Sequence, residues 1–259
     1  MSLAPFDLVH IDIWGPFSVE SIEGFRYFLT IVDDCTRTTW VYMLRNKKDV
    51  STVFPAFIKL VSTQFDMKIK AIRSDNAPEL AFTELIKEHG MIHYSSCAYT
   101  PQQNSVVERK HQHLLNVARS LLFQSNVPLQ YWSDCVLTAV FLINRLPSPL
   151  LQNKSPYELI LKKLPDYSLL KSFGCLCYVS TNAYERNKFS PRAKACIFLG
   201  YPSGYKGYKV LDLETHSASI SRNVIFHEKQ FPFKTDALLS KAVDMFPNHI
   251  LPLPVLCIL

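Results

Sequence analysis

The chain has 259 residues, 48% hydrophobic and 19% charged, which is enough material for one large domain or two smaller ones with packed cores. A net charge of +6 permits a polyanionic partner without requiring one. The 7 cysteines form no C-x-x-C pair and no zinc spacing with histidine, so they read as buried thiols of a reducing compartment, not a disulfide framework.

Met1-Ser2-Leu3-Ala4-Pro5 lacks the basic-then-apolar pattern of a signal peptide. The most apolar run, Val136 to Leu146, is too short to span a bilayer. The expectation is a soluble intracellular protein with no membrane partner. Residues 7–15 alternate as a strand, with Val9, Ile11 and Ile13 on one face and Leu8, His10, Asp12 and Trp14 on the other. Gly15-Pro16 ends it. Residues 26–33 and 38–45 are β-rich and joined by Asp34-Cys35-Thr36-Arg37, which reads as a hairpin. Asn46, with Asp49 three residues on, caps a helix striped by Val50, Val53, Phe54, Phe57, Ile58 and Val61. Pro55 inside that stripe implies a kink or a later start. A fourth strand over 67–74 delivers Asp75. Pro78 opens a short helix striped by Leu80, Phe82, Leu85 and Ile86, stopped by Gly90. Residues 91–96 read as a fifth strand.

Tyr99 to His111 is a polar loop running into an apolar-striped helix, with Glu108 in the first turn. Ser105-Val106-Val107-Glu108 fits the capping box, in which the Glu side chain returns to the helix start. A second role competes with that one. Asp12 and Asp75 are carboxylates within or at the end of apolar strands, where a charge is costly unless paired or metal-bound. If they converge with Glu108, the three make a hard-cation site for Mg²⁺ or Mn²⁺. Leu115 and Leu122 place Glu108 at the border of the face that packs on the sheet. The element order predicts an α/β fold, a mixed five-stranded sheet with helices on its faces.

A second long helix runs from about Gln130 to Arg145 and is broken by Pro147-Ser148-Pro149. Ser155-Pro156-Tyr157-Glu158 starts a short helix with an N-cap and Pro at the first position. From about Lys171 the texture changes to short β-rich runs, which predict a small closed β-barrel. Lys194, Lys206, Lys209 and Arg222, with Tyr201, Tyr205 and Tyr208, are either a nucleic-acid face or a solvated barrel surface. The expected domains are 1–128, a catalytic core; 129–170, a helical connector; 171–233, the small β-barrel; and 234–259, a poorly ordered tail.

His10-Ile11-Asp12-Ile13-Trp14-Gly15-Pro16, Thr30-Ile31-Val32-Asp33-Asp34, Arg73-Ser74-Asp75-Asn76 and Tyr99 through His111 resemble the integrase of copia-type LTR retrotransposons. So do Ile143-Asn144-Arg145-Leu146-Pro147, Phe173-Gly174-Cys175, Lys188 to Lys194, Phe198 to Tyr201 and Phe231-Pro232-Phe233. The resemblance covers almost the whole chain. It implies an RNase H-like core, a D,D,E metal triad on Asp12, Asp75 and Glu108, and the small β-barrel region that follows. The interval between Asp75 and Glu108, 32 residues, is a little shorter than is usual in the family. Met1 falls just before the first strand, and the family's upstream zinc domain is not in the sequence. The expectation is an excised or truncated piece of a polyprotein.

The resemblance implies a polynucleotidyl transferase that joins DNA with two Mg²⁺ or Mn²⁺ ions, Asp12 bridging them. Its partners would be element ends and target DNA, with a homo-oligomer and nuclear action, and with no small-molecule substrate. Gln102, Gln103 and Asn104 would position DNA, or form an ordinary polar loop. Arg109, Lys110 and His113 would meet phosphates, or form a solvated face. The rival readings are a truncated remnant that at most binds DNA, and an open reading frame with no role in its host. A ribonuclease H would need a fourth acid, for which Asp33 and Asp34 are the poor candidates.

Overall fold

The structure is a computed structural model and describes residues 1–95, 104–181, 189 and 191–235. Strands β1 (Val9–Trp14), β2 (Tyr27–Asp33) and β3 (Thr39–Leu44) pair antiparallel in sequence. The turn between β2 and β3 closes on Asp33, whose amide bonds the Thr38 carbonyl and whose carboxylate accepts from the Thr36 amide and hydroxyl. Strands β4 (Ala71–Ser74) and β5 (Ile92–Ser95) add in parallel on the other side of β1. The order β3-β2-β1-β4-β5 is the expected mixed five-stranded sheet, with β1 at its centre. β1 alternates as its sequence requires: Val9 and Ile11 enter one core and Trp14 packs against the other.

Helix α1 (Val50–Phe65) fills the first core with Val50, Phe54, Phe57, Ile58 and Val61, spaced three and four apart. It runs through Pro55. The short helix expected from Pro78 is two pieces. A 3₁₀ turn, Pro78–Leu80, precedes α2 (Thr83–His89), because Phe82 takes φ +44° between them and stacks on Phe54 at 4.5 Å. Helix α3 (Ser105–Ser125) crosses the opposite face of the sheet, burying Val107, His111, Leu114, Leu115, Ala118 and Leu122. Helix α4 (Trp132–Arg145) packs along α3, and Asn144 bonds the backbone of Thr39 through both ends of its amide. Helix α5 (Pro156–Leu161) starts as expected, with the Ser155 hydroxyl accepting from the Glu158 amide.

The C-terminal sheet contains β6 (Leu176–Ser180), β7 (Ala193–Gly200), β8 (Tyr208–Asp212), β9 (Ala218–Ser221) and β10 (Val224–His227), all antiparallel. Its order is β10-β6-β7-β8-β9, and among the described residues no ladder joins the two ends, so the ladder does not close as expected. It holds a small core of Cys175, Cys177, Cys196, Phe198 and Val210. A short helix, α6 (Pro232–Thr235), follows. Cys135, Cys175, Cys177 and Cys196 are buried free thiols, and Cys35 is half-buried.

This sheet packs against the helices of the first. Phe173, Ile197, Leu199 and Leu211 enter the same buried cluster as Leu115 and Leu122 of α3 and Trp132 and Ala139 of α4. Tyr201 stacks on Phe141 of α4 at 3.7 Å. Two glycines allow the approach. A Cβ on Gly174 (φ +76°) would stand 2.0 Å from the Ser125 Cβ, and one on Gly200 (φ +122°) would stand 2.3 Å from the Thr138 hydroxyl. Among the described residues no helix is long and apolar enough to cross a membrane.

Candidate metal centre

Asp12 lies on β1, on the face toward α3. Its Oδ1 accepts from the Ile13 amide at 2.8 Å, and its Oδ2 faces His111 Nδ1 at 3.6 Å. β1 and β4 pair as Val9↔Ile72 and His10↔Arg73. Two residues further in that register, Asp75 stands beside Asp12 on the same face, since side chains of one face recur every second residue. The Asp75 Oδ1 accepts from the Ala77 amide at 3.1 Å. Glu108 is one turn before His111 on α3, so it projects over the same end of β1.

Burial pushes the Asp12 carboxyl up to about 7, helped by the negative charges of Asp75 and, less, Glu108; the Ile13 amide and Lys47 pull the other way. Asp12 therefore feels both other carboxylates. Among the described residues none of the three forms an ion pair with a lysine or arginine. The expectation that their oxygens already stand at coordinating distance is not met: among the described residues no three His, Cys, Asp or Glu side chains converge on a metal position. The donor chemistry fits a divalent cation nonetheless, with hard carboxylate oxygens from three elements and mutual repulsion that a cation would relieve.

The capping box does not form. The N-cap of α3 is Asn104, no side chain caps that end, and the Ser105 hydroxyl accepts from Arg109 instead. Gln102 and Gln103 lie outside the described residues. Asn104 is 2% exposed with its Oδ1 unpartnered, so it is not presented to a ligand in solution. Arg109, Lys110 and His113 do not share the Glu108 side of the helix. At 100° per residue they lie about 100–200° around the helix from Glu108, together on one side, and they line a cleft of about 640 Å³ with Arg37, Ile143, Leu146 and Pro147. Burial and the Arg37 charge push Lys110 down to about 8.

On the C-terminal sheet the expected basic face is thinner than its sequence. Lys209 Nζ is held at 2.6 Å by both Glu23 and Asp134, and Lys194 pairs with Asp212 at 3.6 Å. Tyr201 and Tyr208 pack on Phe198 inside the sheet, leaving Tyr205 exposed. Asp33 and Asp34 are committed elsewhere. Asp33 bonds Phe6 and Thr36, and Asp34 bonds His10 and pairs with Arg37. No fourth acid for ribonuclease H chemistry comes from them. The residue that sequence reasoning missed is His111, whose spacing of three from Glu108 was the available signal.

A mixed five-stranded sheet in this order, with helices on its faces, is an RNase H-like architecture. Among solved structures the chain is similar to a protein of the simian T-cell lymphotropic virus intasome in complex with PP2A regulatory subunit B56 gamma. The TM-score is 0.50 at 14% identity, over 85% of this chain and 77% of that one. Residues 2–101 match the integrase core domain family, and residues 175–239 match the retroviral polymerase SH3-like domain family. The chain is 38% identical over 235 residues to the retrovirus-related Pol polyprotein from transposon RE2 of Arabidopsis thaliana, covering 90% of this chain and 16% of that one. It is 36% identical over 249 residues to the Pol polyprotein from transposon TNT 1-94 of Nicotiana tabacum, covering 94% and 19%. The chain thus carries an integrase core domain and a retroviral polymerase SH3-like domain, and its homologues are transposon Pol polyproteins. It spans less than a fifth of the length of those relatives.

Proposed function

We propose that this chain is the integrase segment of a copia-type retrotransposon, and that Asp12, Asp75 and Glu108 hold two divalent ions, Mg²⁺ or Mn²⁺, for DNA strand transfer. The observation that carries the reading is the register that sets Asp75 beside Asp12 and the His111 contact that sets Glu108 one helical turn away, with burial and both neighbouring carboxylates pushing the Asp12 carboxyl up to about 7. Ions so held would activate the attacking oxygen and stabilise the leaving one. Asp12 contributes from the rigid centre of the sheet, with Oδ1 fixed by the Ile13 amide. Asp75 contributes from the adjoining strand end and Glu108 from the helix above. No protein nucleophile is required, because the attacking group is a DNA 3′-hydroxyl or water.

The partners in this reading are element ends and target DNA, the assembly is a homo-oligomer, and the work is done in the nucleus. Phosphate contacts come from Arg109, Lys110 and His113 at their cleft and from Lys206 and Arg222 on the SH3-like sheet, so DNA affinity falls as salt rises. The proposed domains are 1–128, 129–170 and 171–233, followed by a tail over 234–259. A second reading, a remnant that binds DNA without joining it, draws on one observation: the three carboxylates do not stand at coordinating distance. An Mn²⁺-dependent disintegration assay separates the two, since it asks for phosphoryl transfer without full assembly. Joining supports the first reading; its absence, with DNA binding retained, supports the second.

A further inference from the structure

His111 is 7% exposed and lies between Asp12 and the aromatic floor of the sheet. Its Nδ1 stands 3.6 Å from Asp12 Oδ2. Its ring meets Phe28 edge-on, with centroids 5.6 Å apart and planes at 86°. Nε2 is buried with no hydrogen-bond partner. Those contacts select a tautomer. With the proton on Nδ1, a donor faces the carboxylate and only a lone pair is left unpartnered at Nε2. With the proton on Nε2, a buried N–H would lack an acceptor, and an ionised Asp12 would turn a lone pair toward that of Nδ1. A buried donor without an acceptor costs more than an unused lone pair, so the first arrangement wins.

We propose that His111 is the positioning residue for Asp12. Its Nδ1–H steers Oδ2 while the Ile13 amide holds Oδ1, so the carboxylate keeps one rotamer and is tied to the helix that carries Glu108. At 3.6 Å the contact is longer than a hydrogen bond, so the steering is the electrostatic attraction between the Nδ1–H and the carboxylate. The inference rests on the reading of Asp12 and Glu108 as ion-holding residues. It goes beyond that reading by assigning the orientation of the central carboxylate to a side chain of α3. A histidine kept only for packing against Phe28 would be replaceable by leucine.

The test has two arms on the whole chain. In the first, long-range ¹H–¹⁵N spectra of the wild type report the His111 tautomer without any metal. A proton on Nδ1, with shifts that move in Asp12→Asn, is the expected result; a proton on Nε2 overturns the proposal. In the second, Mn²⁺ affinity is measured by calorimetry without DNA for the wild type, His111→Leu and His111→Asn. Asparagine places an amide N–H close to where Nδ1–H stood, and leucine does not. The expected result is a loss of about 10–100-fold in His111→Leu, the scale of orienting partners at metal sites, with recovery to within a few-fold in His111→Asn. A leucine variant that binds Mn²⁺ like the wild type, or an asparagine variant as weak as leucine, overturns it. A wild type that binds no Mn²⁺ overturns the triad reading instead, and the tautomer then decides the His111 contact alone.

Discussion

Two places in this protein hold carboxylates in company, and they treat the charge differently. Where the SH3-like sheet meets the core, Glu23 and Asp134 share one lysine, with Lys209 Nζ 2.6 Å from each. At the candidate metal centre, Asp12 feels the charges of Asp75 and Glu108, among the described residues none of the three pairs with a lysine or arginine, and Lys47 acts on Asp12 only weakly. In the first place the chain supplies its own cation and gains a fixed junction between its two sheets. In the second the half-buried Asp12 faces the exposed Asp75 and Glu108, an arrangement of like charges that a bound cation would relieve.

The largest effect should come from breaking the balanced cluster. Lys209→Met leaves two carboxylates facing each other, one of them, Asp134, 3% exposed. Unfolding in urea should show a loss of about 3–5 kcal/mol, the cost of removing one partner from a buried pair. A loss below about 1 kcal/mol would mean that the cluster is a surface feature and not a junction. Gly174→Ala should follow, because its φ of +76° and the Ser125 contact at 2.0 Å leave no room for a methyl group. The backbone conformation alone is worth about 1–3 kcal/mol. An alanine variant as stable as the wild type would contradict the close docking of the two sheets.

The opposite sign is expected at the metal centre. Asp12→Asn, measured in EDTA above pH 7, removes a charge that burial and two like neighbours oppose, and should raise stability by about 1 kcal/mol while abolishing metal binding. A fall in stability would mean that the three charges are balanced by groups of the chain itself.

A smaller effect concerns pH. Burial, the leading cause, pushes Asp134 up to about 6 from the usual 3.8, against the pull of Lys209. Between those values the folded protein binds a proton that the unfolded chain does not. The contribution of Asp134 to stability therefore falls as pH rises from about 4 to 6 and is flat above. Without Lys209 the carboxyl rises further. The deficit of Lys209→Met should then be largest near pH 8 and shrink toward pH 5, as denaturation series at the two pH values would show. A deficit independent of pH would remove charge from the explanation.

Much of the core was legible in the sequence because its signals are local. The alternation of Val9, Ile11 and Ile13 against His10, Asp12 and Trp14 fixed which face of β1 meets which core, and Ser155-Pro156 marked a helix start that forms as written. What the sequence hid depends on contacts between distant residues. Lys209 reads as one more barrel lysine until Glu23 and Asp134, 186 and 75 residues away, are seen to hold it. The SH3-like sheet reads as separate because nothing in Leu199 or Leu211 says that its neighbours are α3 and α4. Ser105-Val106-Val107-Glu108 matched a capping box, yet the helix starts one residue early on Asn104 and leaves Glu108 out of its cap. The cleft lined by Arg109, Lys110 and His113 required the fold of the 147–156 connector, which no local pattern predicts.

The most direct test of the triad is Mn²⁺-dependent disintegration by the wild type and by Glu108→Gln, with DNA affinity measured on both across a salt series. Glutamine keeps the shape of the side chain and removes one charge, and no cap depends on it. The account predicts strand joining by the wild type, none by Glu108→Gln, and the same salt-dependent DNA binding in both. Undiminished joining by Glu108→Gln would contradict it.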